Sequence, residues 1–247
     1  MHPVRVLLLG GTGEARRLAG LLAARPGFDV VSSLAGRVAD PALPPGRTRI
    51  GGFGGAAALA AWLAAERIGA VVDATHPFAS AVTASAAAAA GDAGVPLLVL
   101  RRPGWTEGPG DDWRRVPSVA EAAADLPGER VFLTIGRGGL AAFAGDAHRR
   151  YLVRSVDPPE PPLPPRTHVV LGRGPFTVDG EAALMREHAV DVLVTKDSGG
   201  AMTAAKLVAA RRLAVPVVMI DRPPAPDAPT VPDVQGALAW LDARAGA

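Results

Sequence analysis

The chain has 247 residues, of which 49% are hydrophobic and 20% charged, and its formal net charge is +2 at pH 7. That length suffices for one large domain or two small ones with substantial cores. The absence of cysteine excludes disulfides, thiolate metal ligands and cysteine nucleophiles. Aromatic residues make up only 4% of the chain, which argues against a stacking platform for single-stranded nucleic acid.

The N-terminal apolar run, Val6–Leu9, is too short for a signal peptide, and no apolar segment is long enough to cross a membrane. We therefore expect a cytoplasmic protein that binds neither nucleic acid nor a membrane. The sequence pI of about 9.6 reflects an excess of arginine and favours an acidic partner only weakly.

Strand-like and helix-like patterns alternate along nearly the whole chain. In the first part, the predicted elements are strands at 4–9, 28–34, 70–74 and 96–100 and helices at 14–24, 56–67 and 78–90. In the second part, they are strands at 130–135, 149–153, 168–171, 191–195 and 215–220 and helices at 139–144, 179–188, 201–212 and 234–243. Such alternation predicts an α/β protein with mostly parallel sheets flanked by helices.

Between these parts the composition changes. Arg102-Pro103-Gly104-Trp105 and Gly108-Pro109-Gly110 interrupt regular structure. We therefore predict two Rossmann-like domains, residues 1–102 and 114–247, joined by a linker at about 103–113.

A glycine-rich turn follows the first predicted strand and opens a helix. It comprises Gly10, Gly11, Thr12, Gly13, Glu14 and Ala15. Glycines let the backbone approach a pyrophosphate, and a helix N-terminus offers free N–H groups to it. Arg16 stands where the dinucleotide fingerprint has its third glycine, so the pattern is incomplete. A strand-to-helix turn that merely needs glycine remains the alternative.

The second strand ends in Ser32-Ser33-Leu34-Ala35-Gly36-Arg37. An NAD site usually places an acid here for the ribose 2′-hydroxyl, whereas hydroxyls and a guanidinium suit a 2′-phosphate. Ser33 and Arg37 therefore favour NADPH. A solvated loop arginine is the alternative for Arg37.

The third predicted strand leads into Asp73, Thr75, His76 and Pro77. Ligands of open α/β sheets bind outside the carboxyl ends of strands, so these residues are expected beside the cofactor. His76 could act as an acid or donate a hydrogen bond. Alternatively, Asp73 and Thr75 cap the next helix and His76 is an ordinary loop residue.

Three predicted strands of the second part end in glycine loops that each carry a cation. The loops are Gly136-Arg137-Gly138-Gly139, Gly172-Arg173-Gly174 and Lys196-Asp197-Ser198-Gly199-Gly200. If they converge, Arg137, Arg173 and Lys196 form a basic pocket with backbone anion nests for a polyanionic small molecule. Ordinary turns with solvated charges are the alternative. Lys206 is expected on the surface.

Together these stretches resemble the precorrin-6A reductase family of cobalamin biosynthesis. The resemblance is carried by LLLGGTGEARRLA (7–19), SSLAGR (32–37), VVDATHPFA (71–79), the GRGGL and GRGPF loops, and VTKDSGGAMTAAKL (194–207) followed by VVMIDRP. It spans nearly the whole chain and keeps the order of the motifs.

The resemblance implies an NADPH-binding domain, a substrate-binding domain and an active site in the cleft between them. It implies NADPH-dependent reduction of the polycarboxylate tetrapyrrole precorrin-6A to precorrin-6B, with hydride to ring carbon C19 and a proton to C18, and it requires no metal. The region Gly10–Ala15 would hold the pyrophosphate, Ser33 and Arg37 the 2′-phosphate, and Thr75–Pro77 would border the nicotinamide.

Substrate would contact Gly136, Arg137, Lys196, Ser198, Gly199 and Gly200, and the charge pattern adds Arg173. Asp73, His76 and Asp197 are the candidate proton donors; solvent or the macrocycle itself remains open. Contact with neighbouring pathway enzymes, the oligomeric state and the choice between metal-free and cobalt-bound substrate also stay open.

Three other functions compete with this one. A short-chain dehydrogenase needs Tyr-x-x-x-Lys, but Ser155 follows the only tyrosine, Tyr151, at that spacing. A tetrapyrrole methyltransferase would also use glycine loops, although Arg37 stands where an acid often binds the ribose of its cofactor. A dinucleotide sensor without catalysis would keep the loops but show no turnover.

Overall fold

A computed structural model describes residues 3–36, 43–225 and 227–245. In chain order, its elements are β1 (Val4–Leu9), α1 (Gly13–Ala23), β2 (Phe28–Leu34), β3 (Arg47–Ile50), α2 (Ala56–Ala65), β4 (Ala70–Asp73), α3 (Ser80–Ala93), β5 (Leu97–Leu100), β6 (Trp113–Val116), α4 (Val119–Ala124), β7 (Arg130–Thr134), β8 (Arg150–Ser155), β9 (Thr167–Leu171), α5 (Val178–Glu187), β10 (Val192–Lys196), α6 (Ala205–Arg212), β11 (Val217–Ile220), β12 (Thr230–Val231) and α7 (Val234–Ala245). Short 3-10 helices occupy Arg137–Phe143 and Ala201–Thr203.

The described strands form two six-stranded sheets, and every recorded strand pair is parallel. The first sheet has the order β3-β2-β1-β4-β5-β12, and the second has the order β9-β8-β7-β10-β11-β6. Both follow the Rossmann arrangement, in which the strand order reverses between the two central strands. The predicted α/β fold with parallel sheets is confirmed.

Each sheet is buried on both faces, as its apolar strands require. In the first unit, α1 and α7 cover one face through residues such as Leu18, Leu22 and Leu241. Residues of α2 and α3, among them Leu59 and Ala89, pack on the other face. In the second unit, α5 and α6 contribute Met185 and Leu207 to a core with β7, β10 and β11.

The division of the chain differs from the predicted one at its C-terminal end. Contacts group residues 1–103 with 223–247, and residues 104–222 form the second unit. The predicted second domain, 114–247, was therefore wrong to include β12 and α7. Because β12 pairs with β5, and α7 covers the same core as α1, the C-terminal segment completes the first sheet.

Two further predictions need correction. A helix was expected at 139–144, but the structure has a 3-10 helix at Arg137–Phe143. The segment predicted as a linker includes residues 104–112 of the second unit and the first residue of β6. Among the described residues, no helix has the length and apolar character that spanning a membrane requires.

Candidate functional site

In the first unit, the loops that follow β1 and β4 meet where the strand order reverses. Thr12 lies in the first loop and is buried. Its hydroxyl donates to the Ala74 carbonyl at 2.8 Å and accepts from the Ala15 N–H at 3.1 Å, so it also caps α1. This one side chain fixes the start of the helix against the end of β4. The N–H groups of the first helical turn have no partner within the helix and face this edge.

The backbone of the glycine loop leaves room for a ligand. Gly11 has φ +112°, in the region that favours glycine, and a Cβ placed there would meet no atom within 4 Å. Gly10 donates its N–H to the Ser33 carbonyl at 2.9 Å. The loop therefore lies against the end of β2, as the fingerprint for a dinucleotide requires. Glu14, in the first turn of α1, pairs with Arg102 at 2.8 Å.

The end of β2 was predicted to contact the 2′-phosphate. Ser33 is buried, and its hydroxyl lies 3.5 Å from the Arg49 Nη1 on β3, a neighbour that the sequence patterns did not single out. Arg37 lies outside the described residues, so its role stays a prediction.

The loop after β4 is organised by the buried carboxylate of Asp73. One carboxylate oxygen accepts from the Thr75 N–H at 3.0 Å and from the Thr75 hydroxyl at 2.7 Å. The other accepts from the Thr83 hydroxyl at 2.5 Å. Both oxygens thus accept hydrogen bonds that hold the loop on α3, which does not favour Asp73 as a proton donor. The capping alternative for Asp73 and Thr75 was wrong, because the N-cap residue of α3 is Ala79 and no side chain caps the helix there.

His76 differs from Asp73 because its side chain is exposed. Its Nδ1 accepts from the Phe78 N–H at 3.3 Å, an arrangement in which the neutral ring carries its proton on Nε2. His76, Thr75 and Pro77 line a cavity of about 440 Å³ within the first unit, together with Asp73, Thr83 and Arg101. The residues predicted to border the nicotinamide therefore share one cavity.

The second unit repeats this arrangement of strand ends. β7 and β10 are its central neighbours, and the Gly136–Gly139 and Lys196–Gly200 loops follow them at the carboxyl edge. Gly136, Gly199 and Gly200 all have positive φ, which turns the backbone sharply at this edge. Arg137 pairs with Asp157 at 3.8 Å. Arg173 follows β9, the edge strand, and is exposed.

Asp197 anchors the loop after β10. Its carboxylate is buried and accepts from the Trp105 N–H at 2.9 Å and from Arg115 at 2.8 Å. Gly104 lies so close that a Cβ there would stand 2.7 Å from an Asp197 oxygen. Arg222 donates to the Asp197 backbone carbonyl at 2.7 Å. Asp197 therefore orients the loop, which does not favour it as a proton donor.

Arg115 bridges two carboxylates in this network. It contacts Asp221 at 2.7 Å as well as Asp197. Burial lowers the pKa of Arg115, but the hydrogen bonds to these carboxylates outweigh burial and raise it above its usual value. The cation is consequently permanent. Sequence reasoning missed Trp105, Arg115 and Arg222 because each is remote from Asp197 along the chain.

Lys206 was expected on the surface, and that expectation was wrong. The residue is only 3% exposed, and its Nζ lies 5.0 Å from the centre of the Trp105 ring. Nearby, Arg154 and Glu181 form a buried ion pair, and Arg154 stacks on Phe176. Burial, reinforced by the charge of Arg154 and opposed by Glu181, lowers the pKa of Lys206 to about 7.

A parallel sheet in Rossmann order, with a glycine loop and a capped helix at its switch point, is typical of α/β proteins that bind dinucleotides. The precorrin-6x reductase CbiJ/CobK family model matches residues 5–242. The chain belongs to this family. Membership makes it an oxidoreductase, and this class implies a nicotinamide cofactor.

Individual relatives agree with this assignment. The chain is 57% identical over 240 residues to a precorrin-6A reductase of Rhodococcus erythropolis, covering 96% of this chain and 97% of the relative. It is 29% identical over 233 residues to a cobalt-precorrin-6A reductase of Priestia megaterium, covering 88% and 90%. A solved structure titled CobK precorrin-6A reductase matches with a TM-score of 0.92 and 47% identity, covering 99% of this chain and 98% of that one.

We expect Thr12→Val to weaken binding of a nicotinamide dinucleotide and to lower the free energy of unfolding by about 1 to 3 kcal/mol. The substitution removes a helix cap and leaves the Ala74 carbonyl without its buried donor. Thr177→Val is the matched control, because Thr177 caps α5 in the second unit through the Gly180 N–H at 3.2 Å. Calorimetric titration and urea unfolding provide the comparison. Equal effects of both substitutions on the affinity for the dinucleotide would contradict the role given to Thr12.

We expect Lys206→Met to change how stability depends on pH. Between about pH 7 and pH 10, the unfolded lysine holds a proton that the folded lysine has released, so the wild type gains stability as the pH rises. The variant lacks this gain. Relative to Lys206→Met, the unfolding free energy of the wild type should rise by about 2 kcal/mol from pH 7 to pH 9.

Urea unfolding at the two pH values measures this difference. Arg212→Met, an exposed position on the same helix, is the control and should give a profile parallel to that of the wild type. A parallel profile for Lys206→Met as well would mean that Lys206 titrates normally in the folded protein.

Proposed function

We propose that this chain reduces precorrin-6A to precorrin-6B in cobalamin biosynthesis, with NADPH as the hydride donor. The observation that carries the proposal is the 57% identity to a precorrin-6A reductase over nearly the full length of both chains. The dinucleotide geometry of the first unit supports it independently. The turn at Gly11 and the N-terminus of α1, which the Thr12 hydroxyl holds against the end of β4, are features of the kind that bind a pyrophosphate.

The bound cofactor would supply a hydride to one carbon of a double bond in the macrocycle. The residues of the first unit then have three tasks. The backbone of Gly10–Ala15 binds the pyrophosphate, Ser33 and Arg37 select the 2′-phosphate, and Thr75–Pro77 orient the nicotinamide end. Much of the rate enhancement comes from holding the hydride donor over its target.

The second unit supplies the substrate contacts in this proposal. A polycarboxylate macrocycle needs cations and free N–H groups, and the loops after β7 and β10 carry Arg137, Lys196 and several glycines with positive φ. Ser198 and Arg173 extend this set. Asp197 positions the Lys196–Gly200 loop through its hydrogen bonds with Trp105 and Arg115.

For the proton that completes the reduction, His76 is the candidate that we favour. The Asp73 oxygens accept hydrogen bonds from Thr75 and Thr83, and those of Asp197 accept from Trp105 and Arg115. His76 is exposed and lies beside the cavity of the first unit. Histidine is the side chain that most often serves as a general acid in enzymes.

Metal-free precorrin-6A is the substrate that we expect this chain to prefer. One relative named for precorrin-6A is 57% identical, whereas one named for cobalt-precorrin-6A is 29% identical. The decisive assay follows anaerobic NADPH oxidation by absorbance with each form offered in parallel. Faster turnover of precorrin-6A supports the proposal, and preference for the cobalt form would reverse the substrate choice. NADPH binding without turnover of either form would refute the reductase function and favour a dinucleotide sensor.

Lys196→Ala should raise the KM for precorrin-6A about ten- to a hundredfold while leaving the Kd for NADPH within about threefold. It removes one charge-assisted contact to a substrate carboxylate. Steady-state kinetics and titration with NADPH separate the two effects. Arg150→Ala is the control for a general loss of positive charge, because Arg150 begins β8 and so lies at the opposite edge of the same parallel sheet. Loss of NADPH affinity alone would assign the loop to the cofactor instead.

A further inference from the structure

Arg49 is a cation held in a fixed position at the edge of the first sheet. It lies on β3 directly opposite Ser33 of β2. Its Nη1 donates to the Gly51 carbonyl at 2.5 Å, and its Nη2 donates to the Gly52 carbonyl at 2.7 Å. The guanidinium carbon, Cζ, lies over the Phe53 ring, 3.8 Å from the ring centre. The side chain is thus oriented before any ligand arrives.

Neighbouring arginines of this sheet have carboxylate partners, and Arg49 differs from them. Arg5 pairs with Asp29 at 2.7 Å, and Arg47 pairs with Glu66 at 3.5 Å. Within residues 3–36, 43–225 and 227–245, Arg49 forms no ion pair. Backbone carbonyls orient its charge but do not neutralise it. Arg49 has no carboxylate partner among the described residues, so an anionic ligand could form charge-assisted hydrogen bonds with it.

The location of Arg49 indicates which anion it would bind. The Ser33 hydroxyl lies 3.5 Å from its Nη1, and the Ser33 carbonyl accepts the N–H of Gly10 in the glycine loop. A dinucleotide whose pyrophosphate lies on that loop has its adenosine ribose at the end of the second strand. Guanidinium has five N–H donors, and the recorded contacts involve only three of them. Donors therefore remain for a phosphate.

We propose that Arg49, together with the Ser33 hydroxyl, binds the 2′-phosphate of the dinucleotide and makes this chain selective for NADPH over NADH. The proposal rests on the proposed function and deepens it by naming a residue that sets cofactor choice. It does not require any contribution from Arg37. The competing explanation is that Arg49 only braces the turn at Gly51 and Gly52.

Arg49→Ala should weaken NADPH and 2′,5′-ADP about ten- to a hundredfold, while NADH and 5′-AMP change by less than about threefold. The expected size is that of one charge-assisted contact to phosphate. Isothermal titration with the four compounds measures it directly. If Arg49 only braces the turn, all four ligands lose affinity alike or none does, and either result overturns the proposal.

A second variant keeps the test valid if Arg49→Ala unfolds. Arg49→Gln keeps amide N–H donors at this position and removes the charge, so it should reproduce the selective loss in a protein whose folding is verified by its Tm. Arg47→Ala, two residues earlier on the same strand, removes an arginine that already has a partner and should leave all four affinities unchanged. A selective loss of the 2′-phosphate ligands in Arg47→Ala would indicate a general field effect and refute the assignment to Arg49.

Failure of this proposal is distinguishable from failure of the proposed function. If wild-type protein turns over precorrin-6A with NADPH but Arg49→Gln discriminates between 2′,5′-ADP and 5′-AMP as the wild type does, only the assignment of Arg49 is wrong. If the wild type oxidises NADPH with neither form of precorrin-6A, the reductase function fails, whereas the titrations still test which residue binds the 2′-phosphate.

Discussion

The hydroxyl of Thr12 connects the two strand ends on which the first unit depends. It donates to the carbonyl of Ala74, directly after β4, and accepts from the N–H of Ala15 in the first turn of α1. The sheet order brings β1 and β4 together, and this contact then fixes the spacing between the glycine loop and the Asp73–Pro77 loop. A dinucleotide that bridges pyrophosphate and nicotinamide subsites needs that spacing to be constant. In the proposed function, the fold therefore sets this spacing before a dinucleotide binds.

Two buried carboxylates hold the loops after β4 and β10 in place in a similar way. Asp73 accepts hydrogen bonds from Thr75 and Thr83, and Asp197 accepts them from Trp105 and Arg115. Both acids looked chemically active in the sequence because they follow strands at the expected edge. In the structure both carboxylates are buried and accept hydrogen bonds that shape the loops. In the proposed function, these acids orient the loops, and residues beside them contact the ligands.

The sequence predicted the elements that bury many side chains. β1, β4, β7 and β10 are apolar runs at the centres of the sheets, and their positions were predicted to within a few residues. The strands that it did not predict, β3, β6 and β12, all lie at sheet edges, where few side chains are buried. For the same reason the sequence did not predict that the C-terminal segment returns to the first sheet. A two-residue strand carries too little pattern to reveal its partner.

The prediction of site residues was limited in the same way, because only patterns that are local in the sequence could be recognised. The glycine loop and the Thr75–Pro77 turn were recognisable because their chemistry is local in sequence. Arg49 and the burial of Lys206 were not, because a residue's counter-ions and neighbours depend on packing between distant segments. Arg154 and Glu181, which surround Lys206 with charge, lie 52 and 25 positions away from it.

Isotope transfer tests the central claim most directly. NADPH deuterated at both C4 positions of the nicotinamide would be incubated anaerobically with the protein and precorrin-6A, and the tetrapyrrole product would be analysed by mass spectrometry. The account predicts that the product carries one deuterium on carbon, delivered as hydride from the cofactor. Consumption of NADPH with a product that contains no deuterium would contradict direct hydride transfer and, with it, the function assigned to this site.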